Sequence, residues 1–227
     1  CMLTVSLFPG GRRHITGNRC EKGLGKTATG EKGPNVMAYK LKRMFDYQPL
    51  TAEQATRGEL GIPRVLNMYE DYPFWHAFFT ELGFRVVLSP PSNKEMYEKG
   101  MDTISSDTAC YPAKLVHGHI KWLVENDIKR IFYPCINYEV KEDSTAPNHY
   151  NCPIVATYPE VIDKNMAEYF CENGVEFYHP FVPYDNDRRF VTEMTKFFSG
   201  KRDIDRRGVE NVAKHYKLDD TRIYKLF

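Results

Sequence analysis

What this chain lacks sets its limits first. No apolar stretch approaches the roughly 18 residues that a membrane-spanning helix requires. No charge of either sign prevails: 31 Lys and Arg stand against 30 Asp and Glu, a formal net charge of +1. Nothing is left over to drive binding to nucleic acid or to an anionic membrane surface. The opening Cys1-Met2-Leu3-Thr4-Val5 has no basic region ahead of a long apolar one, so it does not read as a secretory signal. The default compartment is a reducing cytoplasm, where cysteines are ligands, nucleophiles or core residues more often than disulfides. None of the six cysteines has a partner at two-residue spacing, which excludes a zinc knuckle or a bacterial ferredoxin run. No internal repeat or low-complexity segment is visible. A chain that begins on Cys1 rather than methionine reads as a segment of a longer polypeptide.

What is there is an alternation of short strand and helix signals. At 227 residues the chain is long enough for one large domain or two small ones. Residues 1–57 read as an irregular amino-terminal region. Within it, residues 9–34 are dense in Gly, Lys and Arg and offer few apolar positions to bury, and a short helix follows over Asn35–Phe45. Residues 58–227 read as an α/β domain. Strands are expected at Ile62–Tyr69, Phe84–Leu88, Arg130–Tyr133, Ile154–Thr157 and Val175–His179. Helices are expected at Tyr72–Leu82, closed by Gly83, at Pro112–Asn126, at Pro159–Asn173, closed by Gly174, and at about Asn186–Ser199 and Asp203–His215. Such alternation implies right-handed crossovers, hence an α/β, Rossmann-like, mostly parallel sheet with helices on both faces.

In such sheets ligands bind outside the carboxyl ends of the strands. Four cysteines stand at predicted strand–helix junctions: Cys20 in Asn18-Arg19-Cys20, Cys110 in Cys110-Tyr111-Pro112, Cys135 in Tyr133-Pro134-Cys135 and Cys152 in Asn151-Cys152-Pro153. Thiolates spread along a chain but gathered at one sheet edge hold a metal or an iron–sulfur cluster, which tolerates ligands distant in sequence. A helix amino terminus favours thiolate at Cys110. The flanking Pro112, Pro134 and Pro153 fix the backbone. Cys152 precedes an expected strand, at the end that should face away from the others. It reaches the same edge only if the polar loop 136–152 folds back. Cys171, inside a helix, reads as a core residue.

Other features point to packing or solvent. Gly23-Leu24-Gly25-Lys26-Thr27 resembles a phosphate-binding loop, but Cys20 stands where the motif needs glycine, and no apolar strand precedes it. His117 and His119 are two apart on a helix and point to different faces, so one packed and one solvated ring is expected. Tyr72, Phe74, Trp75, Phe78 and Phe79 have helical spacing and read as core. Glu139, Glu142 and Asp143 lie in a polar loop and read as solvated.

The residues also carry a family resemblance. Gly17-Asn18-Arg19-Cys20-Glu21-Lys22-Gly23, Arg57-Gly58-Glu59-Leu60-Gly61-Ile62-Pro63, Tyr72-Pro73-Phe74-Trp75-His76, Cys110-Tyr111-Pro112-Ala113-Lys114, His117-Gly118-His119, Tyr133-Pro134-Cys135 and Asn151-Cys152-Pro153 together make the chain, from Cys1 to about Phe198, similar to one such domain. It is the uncharacterised domain of the large CoA-substrate-specific enzyme activases, relatives of the activator of 2-hydroxyacyl-CoA dehydratases. The resemblance implies ATPase activator domains in the same polypeptide and a dehydratase-like iron–sulfur protein as partner. It also implies a [4Fe-4S] cluster engaged in ATP-driven, low-potential electron transfer. By analogy with dehydratase subunits, which hold clusters with three cysteines each, Cys110, Cys135 and Cys152 are the implied ligands. The chain departs from the activator itself: it has no ATPase phosphate motif and no close cysteine pair. Its expected role is to hold, or dock against, the cluster. A metal-free domain that positions the ATPase, or a CoA-ester binder using the sheet crevice, are the alternatives.

Overall fold

Four short apolar segments, each followed by a helix, form the parallel sheet of this protein. The computed structural model describes residues 3–17, 33–141, 143–199, 207, 208 and 210–212. The chain divides into two compact units, one ending at Lys40 and one beginning at Leu41.

In the first unit, strands β1 (Thr4–Leu7) and β2 (Arg13–Thr16) pair antiparallel, with Thr4 opposite Thr16 and Leu7 opposite Arg13. This corrects the expectation that residues 9–34 are irregular. Gly10 and Gly11 take φ of 83° and 74°. Two consecutive residues at positive φ reverse the chain tightly enough for the flanking β-formers to pair. The remainder of that stretch, 18–32, lies outside the described residues. Helix α1 (Val36–Phe45) begins after Asn35, whose side-chain oxygen accepts a hydrogen bond from Ala38 N at 3.0 Å.

The second unit holds four parallel strands: β3 (Glu59–Ile62), β4 (Arg85–Leu88), β5 (Arg130–Phe132) and β6 (Glu176–Tyr178), in the order β4-β3-β5-β6. Helix α2 (Met68–Glu81) joins β3 to β4. From β4 to β5 run α3 (Lys94–Gly100), a 3-10 turn at Met101–Thr103 and α4 (Tyr111–Glu125). From β5 to β6 run α5 (Pro153–Asn165) and α6 (Ala167–Glu172), and α7 (Asp187–Ser199) follows β6. Gly83, at φ 86°, closes α2, and Phe84 N then donates to Phe79 O at 2.9 Å.

Successive residues of the strands divide between two cores. Leu60, Ile62, Val86, Phe132 and Tyr178 pack with α2 and α7. Ile131 and Tyr133 pack with α4, α5 and α6. A Cβ on Gly61 would stand 2.9 Å from Ile128 Cγ2 and 3.0 Å from Leu123 Cδ2, so α4 approaches β3 as closely as a bare backbone allows. The aromatic run of α2 is core as expected, with the Trp75 and Phe132 rings 4.5 Å apart. The fold is thus α/β, with a parallel sheet covered on both faces. Among the described residues no helix is long and apolar enough to cross a membrane.

Two expected strands are corrected. Ile62–Tyr69 is not a strand: β3 ends at Ile62, Leu66 takes a φ of 44° and α2 starts at Met68. Pro63 has no N–H to continue the ladder. Ile154–Thr157 is helical and forms the first turns of α5. Its β-branched residues looked strand-like, but Pro153 at the first helical position presets the backbone, and Tyr158 and Ile162 then bury one helical face. The expected helix Pro159–Asn173 is instead the end of α5 and α6, separated at Met166 with φ −109° and ψ 12°. Most of the expected helix Asp203–His215 lies outside the described residues.

Candidate functional site

The strand order reverses direction at β3, with β4 on one side and β5 on the other. The chain therefore leaves β3 and β5 toward opposite faces, and their carboxyl ends frame a crevice. All three singled-out cysteines of the second unit come to this end of the sheet, each by a different local device.

Cys110 is the N-cap of α4, extended at φ −63° and ψ 153°, with Pro112 in the first turn. Because α4 runs back toward the start of β5, its amino terminus lies at the carboxyl edge. Cys135 follows β5. The ladder continues past the strand: Tyr133 N donates to Tyr178 O at 2.8 Å, Cys135 N donates to Pro180 O at 2.8 Å, and Val182 N donates to Cys135 O at 2.9 Å. Cys135 is therefore held at both its backbone groups and is buried. Cys152 is the N-cap of α5, and its Sγ accepts from Val155 N at 3.5 Å.

The loop between Cys135 and Cys152 does fold back, as a narrow ribbon. Tyr138 bridges Tyr150 antiparallel, Glu139 N donates to His149 O at 2.9 Å, and Asn151 N donates to Asn137 O at 2.9 Å. Asn151 Nδ2 closes the ribbon on Ile136 O at 3.1 Å and on the Glu139 carboxylate at 2.6 Å. Glu139, expected to be solvated, is half-buried and holds this turn. Asp143 is exposed and accepts from Thr145, and Glu142 lies outside the described residues. Since α5 starts directly after the ribbon, Cys152 is not at the opposite edge of the sheet.

The motif reading missed one buried side chain near this end of the sheet. Tyr133 is fully buried on the α4–α5 face, and its hydroxyl has no hydrogen-bond partner. Burial, then the charges of Cys135, Tyr158, Cys152 and Cys110, push its ionisation well above the ordinary tyrosine value. All three thiols thus lie within electrostatic reach of one phenol. Burial, then the Glu160 carboxylate, push the Cys135 thiol up to about 12. As a free thiol Cys135 keeps its proton and is inert. The signal for Tyr133 was its place two residues before Cys135, on the same side of an extended chain.

Both histidines of α4 are fully buried, which corrects the expectation of one solvated ring. The cause is α3, which covers the side of α4 that would otherwise face water. His119 Nδ1 meets Ser89 Oγ at 2.7 Å and its Nε2 meets Ser92 Oγ at 2.9 Å. Ser89 Oγ also accepts from Arg64 N at 2.8 Å. His117 Nδ1 meets Thr103 Oγ1 at 2.9 Å and its Nε2 meets the Tyr158 hydroxyl at 2.9 Å. Thr103 Oγ1 already donates to Gly100 O at 3.0 Å, so His117 Nδ1–H donates to it and Tyr158 O–H donates to His117 Nε2. Burial, then a nearby cation, hold both rings neutral, with ionisation lowered to about 4 in each; the cations are Lys121 for His117 and Arg64 for His119.

Cys171 is exposed, not core, because α6 is only six residues long and buries Phe170 instead. Cys1 and Cys20 lie outside the described residues. Among the described residues no three His, Cys, Asp or Glu side chains form a group that could hold a metal ion. A single ion draws its sulfurs to about 2.3 Å from one centre, whereas a cluster spreads its ligands over several irons. No curated protein and no solved structure matches the chain. The model of the CoA enzyme activase uncharacterised domain (DUF2229) matches residues 59–218, from β3 to beyond α7, and the chain belongs to this family.

Proposed function

We propose that this domain holds, or docks against, a [4Fe-4S]-type cluster at the carboxyl edge of its sheet, with Cys110, Cys135 and Cys152 as its thiolate ligands. One observation supports the reading: three cysteines from three separate segments, two at helix N-caps and one just past β5, come to the carboxyl end of the sheet. Bound there, the cluster supplies one-electron transfer at low potential. The protein's part is positioning. Two ligands are fixed at helix N-caps, where the amino-terminal dipole favours negative sulfur. The third is pinned on both sides by β-ladder hydrogen bonds. The ribbon 136–151 covers the edge between Cys135 and Cys152. Within a CoA enzyme activase, the domain's partners are ATPase activator domains of the same polypeptide, and its electron acceptor is a dehydratase-like iron–sulfur protein in a reducing cytoplasm.

The test is iron and sulfide content after anaerobic purification or reconstitution. Wild-type chain should bind both and show visible iron–sulfur absorption. Cys110→Ser and Cys135→Ser should each lower bound iron. Unchanged iron in both variants would reject the ligand assignment and leave a metal-free interaction domain.

A further inference from the structure

The loop that leaves β3 holds a cation with no counter-charge. Arg64 stands two residues past the end of β3, the strand with β4 on one side and β5 on the other. In parallel sheets ligands bind at this place. Its backbone is fixed: Arg64 N donates to Ser89 Oγ at 2.8 Å, and Ser89 N donates to Ile62 O at 3.2 Å. Its side chain is half-buried, with Cζ 3.9 Å from the centre of the Phe45 ring. That contact occupies one face of the guanidinium and leaves its edge, where the N–H bonds point, unused. Nε is out of contact with solvent and has no hydrogen-bond partner, whereas the terminal nitrogens are not shut off in this way. Among the described residues no carboxylate comes within ion-pair distance of the group. Charged groups taken out of water are normally paired, because their desolvation is otherwise uncompensated. The same loop departs from ordinary packing in two further ways. Asn67 Nδ2 donates to Asp71 Oδ2 at 2.9 Å, but Asn67 Oδ1 is shut from solvent without a donor. Leu66, between Arg64 and Asn67, takes a φ of 44°, a strained conformation of the kind that clusters at ligand sites.

We infer that Arg64 anchors the carboxylate of a small organic ligand in the crevice at the carboxyl end of β3. A planar guanidinium and a planar carboxylate match edge to edge through two parallel N–H···O bonds. One cation balances one negative charge. A phosphate dianion would bring a second, in a loop that already carries the buried Asp71 on Asn67, and an unpaired charge in such surroundings is costly. The assignment involves no cysteine and is independent of the cluster proposed above.

The experiment follows the Arg64 Nε–H signal and the Leu66 and Asn67 amides in heteronuclear NMR spectra of the full chain. Sodium acetate is added at about pH 7, where it is ionised, with sodium chloride holding the ionic strength constant. Wild type should show a saturable shift of all three signals, half complete near about 1–10 mM, the range open to so small a ligand. Inorganic phosphate should need about tenfold more, because its second charge has no counter-charge. Arg64→Lys, which keeps the charge and loses the fork, should raise the acetate concentration for half-saturation about tenfold at the two amides. Arg64→Gln should abolish their response. No saturable shift in wild type overturns the inference. So does a folded Arg64→Gln whose Leu66 and Asn67 amides still respond as in wild type, which would make Arg64 a packing residue on Phe45. Phosphate acting at or below the acetate concentration overturns the carboxylate assignment. If urea unfolding shows that neither variant folds, the wild-type titration of the Arg64 signal decides alone.

Discussion

Replacing Gly118 by alanine tests how the candidate site is built. Gly118 lies between the two buried histidines of α4. A Cβ there would overlap the carbonyl oxygen of Met96 and stand 2.7 Å from its carbon. Across the same contact, a Cβ on Gly100 would stand 2.8 Å from His117 Cβ. Helices α3 and α4 thus meet backbone to backbone through two glycines, and the obstructing atoms belong to the main chain. Relief requires α3 to back away by about 1 Å or more, since carbon contacts settle near 3.5–4.0 Å. The hydrogen bonds of His119 to Ser92 and of His117 to Thr103, both 2.9 Å, flank α3 and would stretch beyond bonding distance. Each buried ring nitrogen left unpaired costs about 1–3 kcal/mol. Overpacking adds about 1–3 kcal/mol, and the better helix propensity of alanine returns about 1 kcal/mol. A net loss of about 2–8 kcal/mol follows, or upward of roughly 5 °C in Tm for a domain of this size. Urea unfolding followed by tryptophan fluorescence reads it, because Trp75 is fully buried. Gly174→Ala is the control: at φ 61° with no atom within 4 Å of its Cβ, it should cost only the left-handed backbone strain, about 1–2 kcal/mol. If Gly118→Ala costs no more than Gly174→Ala, the close seating of α3 on α4 is refuted.

Two further outcomes are expected. Stability should depend on pH through His117 and His119: the fold keeps them neutral down to about 4, first by burial, whereas the unfolded chain protonates them near the ordinary value of about 6.5. Their contribution is complete above the unfolded value and is lost as pH falls toward the folded one, on the order of 3 kcal/mol each. Urea midpoints that stay flat from about pH 6.5 to 4.5 would contradict this. In the metal-free, reduced chain, iodoacetamide should label the exposed Cys110, Cys152 and Cys171 well before the buried Cys135, whose thiol is pushed up to about 12. Peptide mass spectrometry reads the order, and Cys135 reacting as fast as Cys171 would show that its pocket opens freely.

Much of the fold was legible because its signals are local. Gly83 and Gly174 both take positive φ and end α2 and α6 where a C-terminal glycine was expected. Phe84–Leu88, Arg130–Tyr133 and Val175–His179 contain β4, β5 and β6 nearly unchanged. Errors arose where two local signals compete. Ile154, Val155 and Thr157 have strand propensity, but Pro153 and the burial of Tyr158 and Ile162 at helical spacing prevail. Ile62–Tyr69 looked like one apolar run, yet Pro63 and the left-handed Leu66 divide it into the end of a strand and the start of a helix. At Pro9-Gly10-Gly11 the glycines read as irregular loop, and they serve as the turn of a hairpin.

By itself, the amino-acid sequence determined the class of the fold, the family, and which cysteines stand at the ends of elements. Dihedral preferences of Gly and Pro and the periodicity of apolar residues act within a few positions, so they survive without tertiary context. Only the tertiary structure decided that β5 lies between β3 and β6, that the ribbon 136–151 returns Cys152 to the edge where Cys135 lies, and that α3 buries both histidines of α4. It alone decided that Tyr133 is fully buried and its hydroxyl left without a hydrogen-bond partner. Those facts join residues far apart in the chain, from 14 positions for His117 and Thr103 to 70 for Gly61 and Ile131, and no local preference encodes them. They follow from how the helices pack on the two faces of the sheet.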